Sequence, residues 1–190
     1  MKPKVGIIGK GNVGSSIKRG LDRSGYEVRM VGSDPKTVDE TAKWATLVIL
    51  AVPFSAMDEV AKVIREGVKG KTVVDVTNVF GPNVKVPATS GAKELQMKIP
   101  EAKVVKAFNT VFAENMEKGR AANEQITLFI AGDDKDAKLQ VSQLGSDIGF
   151  DPVDVGPLDT ARNLESVGSL IIQVAYAQGL GRNIGLKIVH

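Results

Sequence analysis

The chain contains no cysteine and a single histidine, His190, which is its last residue. The first absence excludes disulfides, thiolate nucleophiles and thiolate metal sites together. The second rules out a multi-histidine metal cluster and leaves almost nothing for a Ser–His dyad. The sequence therefore assigns no metal site and no catalytic side chain. Aromatic residues make up only 5% of the chain. No apolar run approaches the roughly 20 residues needed to cross a bilayer. Lys2 and Lys4 lead into a short apolar run ending in glycine, unlike the n- and h-regions of a signal peptide. The expectation is a cytoplasmic protein with no membrane partner. A net charge of +3, with Lys and Arg scattered among acids, argues against a nucleic-acid track and for a small phosphate-bearing ligand.

What the chain does hold is a recurring alternation. The runs KVGIIG (4–9), EVRMVG (27–32), TLVILAV (46–52), TVVDVT (72–77), KVVKAF (103–108) and ITLFIAG (126–132) read as strands. Most are apolar on both faces, as buried parallel strands are. Between the first two, Val13, Ile17 and Leu21 fall on one helical face that ends at Gly25; after the third, Met57, Val60, Ala61 and Ile64 form another stripe. A further helix follows the sixth strand, capped by Asp133 or Asp134. This pattern predicts an α/β, Rossmann-type doubly wound and mostly parallel sheet with a small C-terminal helical extension. The expected units are a dinucleotide-binding region, 1–150, and an extension, 151–190, forming one compact body.

Gly9, Gly11 and Gly14 spell G-x-G-x-x-G where the first strand meets the first helix. The first glycine permits the tight turn and the second lets the backbone approach a pyrophosphate. The third allows close helix–strand packing, and the helix N-terminus offers its N–H groups to phosphate. After the second strand the chain reads VGSDPKT. Asp34 there could cap a helix beginning at Pro35, leaving Ser33 and Lys36 to a 2′-phosphate, or it could meet a ribose hydroxyl and select NAD. NADP is the reading taken. Ala51, Val52 and Pro53 end the third strand beside the cofactor, and Phe54 either covers it or packs in the core. Thr77 and Asn78 follow the fourth strand, and Asn109, Thr110 and Ala113 the fifth, all on one sheet edge. The two asparagines suit a nicotinamide amide or a second ligand, or are turn residues.

The remaining polar residues read as structural. Asp75 is a satisfied acid inside a strand, Trp44 is packing, and Asp133, Asp134 and Asp159 are helix caps. Arg162 and Glu165, three apart on the terminal helix, read as a pair. Reduction of a ketone or hydroxy acid needs a proton donor, and no acid–base pair emerges. Hydride transfer between two cofactor rings needs mainly positioning, so the sequence leans towards that reaction. A nucleotide-binding sensor without turnover is the alternative from another class.

The runs GKGNVG (9–14), VGSDPK (31–36), LAVPF (50–54), VVKAFNTVFA (104–113), AGDD (131–134), GFDPVDVGPLDTARNLE (149–165) and the closing IGLKI together resemble one family. It is that of the NADPH-dependent reductases of coenzyme F420, an 8-hydroxy-5-deazaflavin, whose relatives include the cytosolic domains of the STEAP metalloreductases. The resemblance implies direct hydride transfer between NADP(H) and F420 in a homodimer joined through its C-terminal helix. It places Lys10, Asn12 and Val13 at the pyrophosphate, Ser33 and Lys36 at the 2′-phosphate, Pro53 and Ala113 around the nicotinamide, and Asn109 at the second ring. Deazaflavin reductases usually carry Arg where Asp34 stands, and AFNT lies closer to the metalloreductase branch. FAD or FMN, with flavin or ferric reduction, is therefore the alternative.

Overall fold

The computed structural model describes residues 2–80 and 88–189. Gly81–Asn83 of the VTNVFGPN run and His190 lie outside the described residues. Strands β1 (Val5–Ile8), β2 (Val28–Val31), β3 (Leu47–Leu50), β4 (Thr72–Asp75) and β5 (Lys103–Lys106) fall inside the six runs read from the sequence, each trimmed at its ends. All five are parallel, in the order β2-β1-β3-β4-β5. The sixth run forms β8 (Thr127–Gly132), which pairs antiparallel with β5 and parallel with β9 (Asp151–Asp154), completing a seven-stranded sheet. The short hairpin β6 (Arg120–Ala121) and β7 (Glu124–Gln125) turns through Ala122 and Asn123, both at positive φ, as a two-residue hairpin turn requires.

Helices cover both faces. Ile17 and Leu21 of α1 (Asn12–Arg23) and Val141, Leu144 and Ile148 of α6 (Lys135–Ile148) bury one side with Val5, Ile7, Leu47 and Ile49. The opposite core gathers Ile8, Val48 and Leu50 beneath α2 (Pro35–Trp44), α3 (Met57–Ile64) and α4 (Gly91–Lys98). The chain then passes α5 (Ala113–Met116) and ends with α7 (Ala161–Ala177) and a coil that lies along β8, where Thr127 N–H donates to Leu186 O at 2.8 Å. Among the described residues no helix is long and apolar enough to cross a membrane.

The polar expectations hold for Asp134 and Trp44 and fail for Asp133, Asp159 and the Arg162–Glu165 pair. Asp134 caps α6 by accepting from Ala137 N–H at 2.8 Å. That amide and Lys103 hold its carboxyl below the ordinary aspartate range. Asp133 instead accepts from Leu158 N–H at 2.9 Å, and Asp159 caps nothing; it meets Lys93 at 3.0 Å. Arg162 and Glu165 do not pair. Arg162 reaches Ala88 O, while Glu165 turns inward to a buried partner described below. Trp44 is packing, with Arg29 stacked 4.1 Å from its ring centroid.

Candidate functional site

The strand order reverses between β1 and β3: the chain leaves β1 for β2 on one side and returns to β3 on the other. In open α/β sheets the crevice at this switch point, beyond the carboxyl ends of the strands, receives the ligand. Two glycines of the loop have separate structural reasons. Gly9 sits at φ +121, where a Cβ would collide with the Ala51 carbonyl. A Cβ on Gly14 would strike Gly9 O, so the third glycine lets α1 pack against the strand end. Gly11 differs from both. Its φ of −73 and ψ of −174 suit any residue, and among the described residues no atom beyond its two chain neighbours lies within 4 Å of where its Cβ would be. Nothing in the fold asks for glycine there, and a backbone bare of side chain is what a close-lying pyrophosphate requires. The N-terminus of α1 carries no side-chain cap and no acid in its first turn. Its free N–H groups and dipole are thus open to an anion.

Three adjoining cavities run along this edge. The first, about 390 Å³, is lined by Gly9, Lys10, Gly11, Gly32, Ser33, Ala51, Val52 and Pro53 with the side of α3. The Lys10 stem passes beside Gly32, on the β2 side of the loop. The middle cavity, about 540 Å³, shares Gly11, Ala51, Val52 and Pro53 with the first and adds Asn12, Val13, Phe54, Thr77, Asn78 and Phe80. The outer one, about 300 Å³, lies between the glycine loop and α7. Asn12, Val13, Asn78, Asn109, Thr110, Ala113, Ile171, Ile172 and Tyr176 are in its wall. The shared residues make the three chambers one groove.

Of the residues singled out from the sequence, Gly14, Asp34 and Lys36 do not line this groove. Gly14 is buried behind the loop, and Lys36 is exposed on the first turn of α2. Asp34 is the helix cap: its Oδ1 accepts from Thr37 N–H at 2.9 Å, and Pro35 occupies the first helical position. Phe54 lines the middle chamber, and its ring packs against Gly91.

The outer chamber is organised by contacts that no local pattern announces. Phe108 is fully buried at φ +64, uncommon for a bulky residue, and its ring is held edge-on to Phe150 at 5.5 Å. This left-handed step turns the chain out of β5 and delivers Asn109. Asn109 Nδ2 donates to Asn78 Oδ1 at 2.9 Å and to Leu164 O at 2.8 Å, and Asn78 Nδ2 donates to Asn109 O at 2.8 Å. Helix α7 seats on this pair at Gly168, where a Cβ would come within 2.5 Å of Asn78 Oδ1. Beneath it Lys106, with 0% exposure, donates to Asp75 Oδ2 at 2.9 Å, to Thr77 O and to Glu165 Oε1 at 3.1 Å. Glu165 also accepts from Gly91 N–H at 3.0 Å. Lys106, Glu165 and Gly168 thus position the site although the sequence reading gave them no such part.

Strand, glycine loop, helix and a groove across the switch point define a Rossmann-type fold, with the groove where such folds receive their ligands. Comparison with known proteins takes this further. Residues 4–79 match the family model described as "NADP oxidoreductase coenzyme F420-dependent". The chain is 32% identical over 178 residues to the metalloreductase STEAP3 of Rattus norvegicus, covering 87% of this chain and 36% of that protein. It is 29% identical over 165 residues to the F420-dependent NADP reductase of Methanocaldococcus jannaschii, covering 80% of this chain and 70% of that one. A crystal structure from Arthrobacter sp. FB24, of a protein proposed to be an F420-dependent NADP reductase, superimposes with a TM-score of 0.89 at 28% identity. That match covers 99% of this chain and 100% of the other. The chain therefore spans about a third of the metalloreductases it matches and most or all of the reductases. These matches bear out the resemblance read from the sequence: the chain is similar to F420-dependent NADP reductases and to the STEAP metalloreductases.

Proposed function

We propose that this chain transfers a hydride directly between NADP(H) and a deazaflavin, coenzyme F420. The continuity of the groove is the observation that carries the reading: it runs from Lys10 and Ser33, over the bare backbone of Gly11, into the chamber under α7. The family match and the reductases named above support it. The middle chamber is walled by Val13, Val52, Pro53 and Phe54 and by neutral polar groups, a surface suited to a flat ring. Exchange of one hydride between two such rings asks the protein to align them and exclude water, and the balancing proton can come from solvent. A sensor would have no use for a second chamber opening onto the first ring's face, so the groove favours the enzyme.

Anaerobic mixing with NADPH and oxidised F420, followed at the deazaflavin's visible band, tests the reading. Rapid bleaching supports it. Turnover only with FMN or FAD and a ferric chelate would replace it with the second reading, flavin or ferric reduction, which the similarity to the metalloreductase favours. NADPH binding without turnover in any mixture would replace it with the sensor.

The resemblance puts the 2′-phosphate at Ser33 and Lys36; Ser33 lines the first chamber together with Lys10, and Lys36 lies outside it on the first turn of α2. The Asp34 carboxylate, engaged by its own helix, still adds a negative charge nearby. Asp34→Asn keeps an equally good cap and removes the charge. The expected result is an unchanged melting temperature and NADPH affinity raised about three- to tenfold over NADH, the scale of one unit charge at the surface. Parallel titrations with the two nucleotides read this directly, and an unchanged ratio would move the 2′-phosphate elsewhere.

A further inference from the structure

Among the described residues, two buried side-chain polar atoms have no hydrogen-bond partner: Thr77 Oγ1 and Asn109 Oδ1. Native interiors seldom leave such groups unpaired, because an orphan loses its hydration and gains nothing. Both fall on residues of the same groove, Thr77 in the middle chamber and Asn109 in the outer one, with Asn78 lining both. Rotating the Asn109 amide offers no relief, since its Nδ2 is fixed by two acceptors that would then face oxygen.

The Thr77 backbone is held at both ends. Its N–H donates to Asp75 Oδ1 at 2.9 Å, and its carbonyl accepts from Lys106 Nζ. Lys106 is itself fixed by Asp75 and Glu165. The peptide cannot swing to give the hydroxyl a protein partner. Thr77 is only 4% exposed, and a valine has nearly the same shape without a hydroxyl to leave unpaired. For folding alone, then, the hydroxyl is a disadvantage, held in place by a cluster of buried charges at the wall of a ligand groove.

We propose that Thr77 is a ligand-reading residue, its hydroxyl reserved for a polar group of the nicotinamide end of the dinucleotide, with Asp75 and Lys106 as its positioning residues. This rests on the dinucleotide reading of the groove.

The test compares wild type, Thr77→Val and Thr77→Ser by calorimetric titration and thermal melting. The ligands are NADPH and 2′-phospho-ADP-ribose, which lacks the nicotinamide. Thr77→Val should melt at or above the wild-type temperature and bind NADPH about tenfold more weakly, the scale of one hydrogen bond to a ligand. The fragment should bind it unchanged, and Thr77→Ser should restore NADPH affinity. Wild-type NADPH affinity in Thr77→Val would overturn the proposal. A lowered melting temperature with both ligands weakened alike would also overturn it, by making the hydroxyl structural. Failure of wild type to bind even the fragment would overturn the dinucleotide reading itself, a different outcome from either.

Discussion

Gly11→Val is expected to leave the protein folded and unable to hold a dinucleotide. The two halves of that result have separate causes. The backbone at Gly11 lies in the extended region that valine adopts readily, and among the described residues no atom beyond its two chain neighbours lies within 4 Å of the added Cβ. The melting temperature should therefore stay within a degree or two of wild type. The new side chain stands over the N-terminus of α1, where the pyrophosphate must approach the backbone. NADPH affinity should fall about 100-fold or more, some 2.7 kcal/mol. Gly14→Val is the contrasting control, because its Cβ meets Gly9 O and the fold itself must give way. Titration and melting of the two variants side by side separate a glycine kept for the ligand from one kept for packing. Wild-type NADPH binding by Gly11→Val would remove the pyrophosphate from this loop.

That separation also marks how far the sequence could be read. The glycine loop was legible because each of its requirements is local: a turn, a bare backbone and a close helix, within six residues. Strands β1, β3, β4 and β5 were legible because burial on both faces leaves mostly apolar runs, while the partly buried edge strand β2 still shows three apolar residues of four. Strand β9 was not. It is a short edge strand containing Pro152, and proline in a run speaks against a strand except at such an edge. The antiparallel direction of β8 escaped as well, since an apolar run carries no sense of direction. At the site, the residues facing the groove from the ends of β3, β4 and β5 could be placed on one edge, because a parallel sheet puts all its carboxyl ends together. What holds that edge in shape came from pairs distant in sequence. Asp75 and Lys106 are 31 residues apart, and Lys106 and Glu165 are 59 apart. One signal was present: TVVD and KVVK are neighbouring strands of equal length, and their register puts Asp75 opposite Lys106. A lysine between Val105 and Ala107, deep in a sheet, needs an acid beside it.

Lys106→Met is expected to have the largest effect on stability. A methionine fills most of the lysine's volume, so the loss comes from charge rather than from a cavity. Asp75, at 0% exposure, and Glu165 would face each other with no cation between them, and Thr77 O would lose its donor. Removing one member of a buried ion cluster costs about 3–5 kcal/mol. In a domain of this size that lowers the melting temperature by roughly 10 °C. Asp75→Asn on its own should cost less, since Lys106 keeps Glu165 and the Thr77 carbonyl. The double variant Lys106→Met/Asp75→Asn should melt above Lys106→Met, because it removes the charge that the single change strands. Thermal melts of the four proteins form a double-mutant cycle whose interaction energy reads the pair directly. Additive losses would mean that the two groups do not sense one another. The site follows from the same contacts. Lys106 ties the end of β4 to Glu165, and Glu165 ties α7 to the first residue of α4. The wall of the outer chamber is α7, at Ile171, Ile172 and Tyr176. A chain that only needed to fold could fill this interior with apolar side chains at equal or lower free energy. The ion cluster does what apolar packing could not: it fixes a polar strand edge at the floor of a groove while holding the helix that closes it.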